Sequence, residues 1–204
     1  MTSEPARWLV DHARLLPAAG DALDVACGSG RHAFWLAAHG LSTLAIDRDA
    51  DKVETIRRTA DERHLPLRAE VVDLESHIAV VSGFSRTSAV ESGFSRTSAV
   101  VSGFSRTFGQ TYDVIVVVHY LHRPLFPALR DALRPGGILV YETFTRAQAQ
   151  RGKPTNPAFL LEPGELRELV APLDVVAERE GDVDGKMLAS VIAVRPLGRA
   201  RGSR

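Results

Sequence analysis

A glycine-containing segment, Asp24–Gly30 (DVACGSG), is the part of the sequence whose residue types most directly indicate chemistry. Gly28 and Gly30 permit a sharp turn and the close approach of a ligand, because neither carries a Cβ atom. A helix predicted directly after Gly30 would point its unpaired N–H groups at a carboxylate or a phosphate. Ala33 completes a G-x-G-x-x-A pattern, so the segment also allows a dinucleotide site. It therefore predicts a ligand site without choosing the ligand.

Two acidic residues follow the next two predicted strands. Asp47 comes directly after a strand predicted over 41–46. In an open parallel sheet an acidic side chain at this place accepts hydrogen bonds from ribose hydroxyls. The alternative role for Asp47 is a solvent-exposed helix cap. Asp73 follows a strand predicted over 67–72 and is placed to accept from an adenine amino group. We therefore expect Asp47 to lie beside the glycine segment and to form a nucleoside-binding site with it.

Candidate catalytic residues follow the apolar strand predicted over 112–118. His119 and His122 have side chains that act as general bases near neutral pH, although a single histidine at a strand end is more often a packing residue. Tyr120 would either orient a substrate or form an aromatic wall. Glu142, near the end of the next strand, is a further candidate base.

A long polar segment, 145–161, comes after that next strand. Segments of this length inside a compact domain are often active-site lids. Arg146, Arg151 and Lys153 would let this one recognise an acidic or oxyanionic molecule, and solubility is the alternative explanation for the three cations.

Strands and helices alternate along most of the chain, which predicts a mostly parallel sheet with helices on both faces. The last two strands are too close in sequence for a crossover helix, so we expect an antiparallel hairpin joined at Asp184-Gly185. The predicted fold class is α/β, a Rossmann-like three-layer αβα sandwich with a seven-stranded sheet. Strands are predicted at 22–27, 41–46, 67–72, 112–118, 138–144, 173–179 and 187–194, and helices at 31–39, 49–63, 125–133 and 162–170.

One domain over 1–204 is the prediction from length, with a basic tail at about 196–204 and an insertion at about 75–110. Within the insertion SGFSRT occurs three times, beginning at Ser82, Ser92 and Ser102. Near identity of the copies indicates a tandem duplication in a connecting segment, to which we assign no chemistry.

Composition and charge exclude several classes of protein. The formal net charge is zero, which argues against nucleic-acid binding. No apolar run is long enough to span a membrane, and MTSEPARW is not a signal-peptide start. Cys27 is the single cysteine, so a cytoplasmic location is expected. No Cys/His cluster has the spacing of metal ligands, so no metal is expected.

Five segments, taken in order, resemble the class I S-adenosylmethionine-dependent methyltransferases: DVACGSGRHAFWLAAHG, AID, VVDLE, YDVIVVV and LRPGGILVYETF. Within that family, GRHAFWLAAHG and PTNPAFLLEPGELREL are similar to the tellurite-resistance-type branch. The resemblance covers nearly the whole chain except the 36-residue stretch 75–110. That stretch replaces a shorter link, so it could alter or cover the adenine side of the pocket.

The resemblance implies roles for the matching residues. The methionine part of S-adenosylmethionine would be held by Asp24, by the backbone of Cys27, Gly28, Ser29 and Gly30, and by Arg31 near its carboxylate. Asp47 would bind the ribose, Asp73 and Leu74 the adenine ring, and His119 would lie beside the sulfonium.

The expected function is methyl transfer to a small-molecule acceptor, with a thiol, oxyanion, carboxylate or hydroxyl group as the nucleophile. HYLHRP is not the Asn/Asp-Pro-Pro-aromatic motif of amino-group methyltransferases, so DNA-base methylation is not expected. Two alternatives stay open at this point: an NAD-type oxidoreductase that uses the same glycine segment, and a catalytically inactive cofactor-binding or interaction module. The sequence leaves the oligomeric state open.

Overall fold

The computed structural model describes residues 4–75 and 106–198. The SGFSRT repeat, apart from the end of its third copy, lies outside the described residues, as does the basic tail beyond 198.

Seven strands form one sheet in the described part of the chain: β1 (Gly20–Val25), β2 (Leu41–Asp47), β3 (Leu67–Val71), β4 (Tyr112–Val118), β5 (Leu133–Phe144), β6 (Asp174–Val183) and β7 (Lys186–Val194). Their order in the sheet is β3-β2-β1-β4-β5-β7-β6. Strands β1 to β5 are parallel, and β7 is antiparallel to both of its neighbours, so the predicted fold class is confirmed.

Helices cover both faces of the sheet, because β4 and its neighbours are apolar on both sides. The helices are α1 (Arg7–Asp11), α2 (Arg31–Ala38), α3 (Ala50–Glu62), α4 (Phe126–Asp131) and α5 (Glu165–Val170), with 3₁₀ turns at Ala13–Leu15, Arg123–Leu125, Arg146–Gln150 and Pro157–Phe159. Helices α1 and α2 pack on one face, where Leu9 and Leu36 meet Val114 and Val116. Helices α4 and α5 pack on the other, and α3 packs with α2 beside the strand that begins at Leu41.

Two predicted helices are shorter in the structure. The helix expected over 125–133 ends at Asp131, because Leu133 already pairs with Tyr112 and begins β5. The pairing then shifts register before Val114, in the part of β5 that contains Pro135, Gly136 and Gly137. The helix expected over 162–170 begins only at Glu165, because the preceding Gly164 is left-handed at φ 75°.

The C-terminal hairpin is longer than predicted. Strand β6 continues to Val183, which pairs directly with Lys186 across the two-residue turn Asp184-Gly185. Both turn residues have positive φ, 51° and 84°. A turn of this kind matches the twist of the two strands, so their pairing extends to its ends.

The carboxyl ends of β1, β2 and β4 lie at one edge of the sheet. Val25 is in register with Ile46 of β2 and with Val117 of β4. Strand order reverses at β1, which leaves a crevice outside this edge where open α/β sheets bind ligands. The residues that follow these strands therefore form the candidate site.

Candidate functional site

Asp47 connects the end of β2 to the glycine segment after β1. Its Oδ2 accepts a hydrogen bond from the Gly28 N–H at 2.8 Å, and its Oδ1 accepts one from the Asp49 N–H at 3.0 Å. The predicted position of Asp47 beside the glycine segment is confirmed. The residue that caps α3 is Asp49, whose side chain accepts a hydrogen bond from the Lys52 N–H. Each Asp47 oxygen keeps a second lone pair for a ligand hydroxyl.

The backbone of the glycine segment is only partly open to a ligand. The Cys27 N–H donates to the Ile46 carbonyl at 3.0 Å, and the Gly30 N–H donates to the Cys27 carbonyl at 2.9 Å. This corrects the expectation that the whole stretch faces a ligand, because these donors are used inside the protein. Among the described residues, the N–H groups of Ser29 and Arg31 have no partner. The Cys27 thiol is buried, and burial raises its pKa.

Asp24 lies behind the glycine segment and is 1% exposed. Its Oδ2 accepts a hydrogen bond from the Ala33 N–H at 3.0 Å, which fixes the start of α2 to β1. Its Oδ1 accepts no hydrogen bond from a described residue, and Nδ1 of His32 lies 3.9 Å from it. Burial raises the pKa of this carboxyl to about 7. A buried acceptor without a donor is uncommon in folded proteins and is compatible with a donor supplied by a ligand.

A cavity of about 300 Å³ collects four of the ten predicted cofactor residues, Asp47, Asp73, Leu74 and His119. Asp47 and Asp73 line it together, and the Asp73 Oδ1 also accepts a hydrogen bond from the Glu75 N–H. Five lining residues were not predicted as site residues from the sequence; of these, Phe159 comes from the distant polar segment. The full lining is Ala26, Asp47, Arg48, Val72, Asp73, Leu74, Glu75, His119, Tyr120 and Phe159.

His119 follows β4 in a left-handed conformation, φ 58°, which is unusual for a residue with a side chain. Its N–H donates to the Glu142 carbonyl at 2.8 Å, and its ring stacks on Phe144 with centroids 4.7 Å apart. Burial, with the charges of Lys186 and Arg31, lowers its pKa to about 4. The imidazole is therefore neutral at pH 7 and a weak base, which does not favour the predicted role of general base.

Arg31, at the start of α2, contacts two histidines. Its Nη2 lies 3.5 Å from Nδ1 of His119, and its Nε donates to Nε2 of His32 at 3.2 Å. His32 is 4% exposed, and burial lowers its pKa to about 3. Sequence reasoning missed His32, because nothing in the helix pattern distinguishes it from a packing residue.

The substitution His119→Asn should make stability less sensitive to acid. The folded pKa of His119 lies below that of the unfolded chain, so its contribution is full above about pH 6.5 and is lost as pH falls towards 4. Asparagine tolerates positive φ and does not titrate. Denaturant unfolding at pH 8 and pH 4 should show the variant losing about 1–2 kcal/mol less than wild type. Equal losses in both proteins would contradict the lowered pKa.

Two other predicted candidates for a base do not occupy the cavity. Glu142 is 4% exposed, and its Oε2 accepts hydrogen bonds from Arg179 at 2.9 Å and from Ser190 at 2.7 Å. An ion-paired, buried carboxylate is a poor base, which corrects that expectation. His122 does not line the cavity, and its Nε2 is buried without a partner among the described residues. The predicted role of His122 in catalysis is therefore not favoured.

A second cavity, of about 560 Å³, adjoins the first. The two share His119, Tyr120 and Phe159 in their walls. The second cavity is mostly apolar. Among the described residues that line it, Lys153 is the one with a charged side chain, and it lies at the rim. Its lining is His119, Tyr120, Leu121, Phe144, Lys153, Pro154, Thr155, Asn156 and Phe159.

The segment 145–161 is anchored at its base. Gln148 is buried, accepts from the Met187 N–H at 2.8 Å and donates to the Lys153 carbonyl at 3.2 Å. Two of the three predicted cations are paired: Arg146 with Glu162, and Arg151 with Asp182. Lys153 makes no ion pair with a described residue. The expectation of an anion site from all three cations is therefore corrected to Lys153 alone.

Neither a spanning helix nor a metal cluster is found in the described ranges. No helix there combines the length and apolar character that crossing a membrane requires. Across 4–75 and 106–198, no three His, Cys, Asp or Glu side chains are grouped as metal ligands.

Comparisons with known proteins give a family match and several matches of fold. A family model described as a methyltransferase domain matches residues 2–171. A comparison with curated protein sequences finds no match. Similar solved structures include TehB from Haemophilus influenzae, with a TM-score of 0.65 and 16% identity over 92% of this chain. This chain covers 61% of that TehB chain, about three fifths of its length.

Two further structures are similar over most of both chains. The N-methyltransferase NodS from Bradyrhizobium japonicum has a TM-score of 0.59 and 18% identity, with coverage of 92% of this chain and 93% of NodS. A TehB-like SAM-dependent methyltransferase from Corynebacterium glutamicum has a TM-score of 0.57 and 17% identity, covering 92% and 85%. Identities this low show the fold alone.

Proposed function

This chain belongs to the methyltransferase domain family, and from that premise we propose that it moves a methyl group from S-adenosylmethionine to a small organic acceptor. The resemblance to class I methyltransferases seen in the sequence motifs is confirmed at the level of the family. The observation that carries the proposal is the pair of adjoining cavities, which meet at His119 and Tyr120 beside the Asp47–Gly28 contact.

The residues present fit S-adenosylmethionine. Asp47 offers a lone pair on each oxygen to the ribose hydroxyls, and Asp73 and Leu74 line the part of the cavity assigned to the adenine ring. The buried Asp24 Oδ1 lacks a donor, which suits an ammonium group reached directly or through one water. The unpaired Ser29 N–H at the start of α2 suits a carboxylate.

The acceptor belongs in the second, mostly apolar cavity. Phe144 and Phe159 supply flat apolar walls, and Lys153 supplies one positive charge at the rim. A cavity of about 560 Å³ with these walls is of the size that holds organic ligands. We therefore propose an organic acceptor with an apolar body and one anionic group, and not an inorganic oxyanion.

The acceptor must bring its own reactive lone pair. His119 is neutral with a pKa near 4, Glu142 is ion-paired, and burial raises the pKa of the Tyr120 hydroxyl. None of these groups removes a proton readily at pH 7. When bound, S-adenosylmethionine supplies a methyl group on a positively charged sulfur. That sulfur is already a good leaving group. The protein therefore aligns the acceptor and excludes water, and a thiolate or carboxylate is the acceptor group that this arrangement favours.

Calorimetry with S-adenosylhomocysteine tests the proposal. The full chain should bind S-adenosylhomocysteine with a Kd of about 1–100 μM and should show no binding of NAD⁺ at 1 mM. Tight NAD⁺ binding without S-adenosylhomocysteine binding would favour the oxidoreductase alternative and contradict the proposal. Binding of S-adenosylhomocysteine with no turnover of any thiol or carboxylate in a broad panel would favour the inactive-module alternative.

A further inference from the structure

A third cavity, of about 200 Å³, also reaches His119. Its walls include residues from three places that are distant in sequence, the N-terminal segment 4–7, Arg31 at the start of α2 and the tip of the β6–β7 hairpin at 183–186, together with His119, Glu142, Arg179 and Leu188. No motif in the sequence marks this cavity, because the hairpin tip follows Arg31 by about 150 residues. The fold alone brings Lys186 to the side of the site where Arg31 lies.

Two cations in this cavity have no carboxylate partner among the described residues. The other two positive side chains in its walls are paired, Arg7 with Asp11 at 3.6 Å and Arg179 with Glu142 at 2.9 Å. Arg31 and Lys186 form no ion pair.

Besides the Glu142 carboxylate, which is paired with Arg179, the walls contain the carboxylates of Glu4 and Asp184. Neither makes an ion pair with Arg31 or Lys186. The two cations are therefore available to an anion that enters the cavity.

The backbone of Lys186 is held in place. It is the first residue of β7 and pairs with Val183 across the hairpin turn. The next residue, Met187, is fixed on both sides, because its N–H donates to Gln148 at 2.8 Å and its carbonyl accepts from the Thr145 N–H at 3.0 Å. After burial, the positive charge of Lys186 is the largest cause of the lowered pKa of His119. The Lys186 ammonium group therefore lies near the His119 ring.

We propose that Lys186, together with Arg31, binds the α-carboxylate of the methionine part of the cofactor, an assignment that rests on the function proposed above. Arg31 is the first residue of α2, so a carboxylate placed between Arg31 and Lys186 lies beside the start of that helix. Two cations from distant parts of the chain then meet one anion. Lys186 is a cofactor-binding residue supplied by the C-terminal hairpin, away from the glycine segment.

Two ligands that differ in this carboxylate test the assignment. S-adenosylhomocysteine carries the amino-acid part, whereas 5′-methylthioadenosine has the same nucleoside and thioether without it. Calorimetry on the full chain should show that Lys186→Gln weakens S-adenosylhomocysteine binding about fivefold and changes 5′-methylthioadenosine binding less than 1.5-fold. Lys186→Arg should restore S-adenosylhomocysteine binding to within twofold of wild type.

Arg58→Gln is the matched control, because it also removes one exposed positive charge but lies on α3 outside all three cavities. It should leave both affinities unchanged. Equal weakening of both ligands by Lys186→Gln, or no weakening of S-adenosylhomocysteine, would overturn the assignment while leaving the proposed function intact. Failure of the wild-type chain to bind S-adenosylhomocysteine would instead overturn the proposed function itself.

Salt dependence gives a second readout that does not depend on a substitution. The preference of the wild-type chain for S-adenosylhomocysteine over 5′-methylthioadenosine should fall between 0.05 and 0.5 M NaCl, since both cations are near the surface. Lys186→Gln should reduce this salt dependence. An unchanged dependence in the variant counts against a role for Lys186.

Discussion

Replacement of Asp47 by alanine is expected to weaken S-adenosylhomocysteine binding by at least about 100-fold, with the chain still folded. The substitution removes both ribose acceptors and also leaves the Gly28 N–H without its partner at 2.8 Å. Loss of two hydrogen bonds to a charged group, at about 1.5–3 kcal/mol each, accounts for a factor of this size or larger. Calorimetry gives the affinity, and circular dichroism shows whether the fold survives.

Asp49→Ala is the matched control for Asp47. It removes another carboxylate from the same turn, one that caps α3 through the Lys52 N–H and does not line the cavity. We expect a small loss of stability and little change in affinity. Wild-type affinity in a folded Asp47→Ala protein would contradict the nucleoside site described here.

Replacement of Gly30 by alanine is expected to cost about 2–4 kcal/mol of unfolding free energy. Gly30 has φ 78°, a conformation that disfavours any residue with a side chain by about 1–2 kcal/mol. The added Cβ would also lie 2.8 Å from Cγ1 of Ile56, and Ile56 is 1% exposed, so it has little room to move. Overpacking of this kind adds about 1–3 kcal/mol.

Gly28→Ala separates the two causes. Gly28 also has positive φ, 57°, but a Cβ there would meet no atom within 4 Å. It should cost only the conformational part, about 1 kcal/mol. Urea unfolding of both variants measures the difference. Equal losses for Gly28→Ala and Gly30→Ala would show that contact with Ile56 does not limit what position 30 accepts.

Local patterns predicted the central sheet closely. The segment YDVIVVV predicted β4 with its bounds, because six of its seven positions are apolar, as expected for a strand buried on both faces. Val53, Ile56 and Ala60 recur at the spacing of one helix face, and all three are buried in α3. Errors fell at the ends of elements, as at Leu133, where pairing with Tyr112 decides the boundary.

The position of Asp47 was predictable from the sequence for a topological reason. Parallel strands end at the same edge, so a residue after β2 must lie near the segment after β1 whatever the side-chain packing. The sequence did not predict which of the candidate bases are already hydrogen-bonded inside the protein. Glu142 is bound to Arg179 and Ser190, and that contact depends on the antiparallel pairing of β5 with β7.

The sequence by itself determined the order of strands and helices, the glycine segment and the acidic residue beside it, because each depends on local periodicity or on the connection between neighbouring strands. Only the tertiary structure decided which charges are paired and which face a cavity. Arg146 and Arg151 are neutralised by distant carboxylates, whereas Lys186 is brought to the side of His119. Those outcomes depend on contacts between residues far apart in the chain, and no short sequence pattern encodes them.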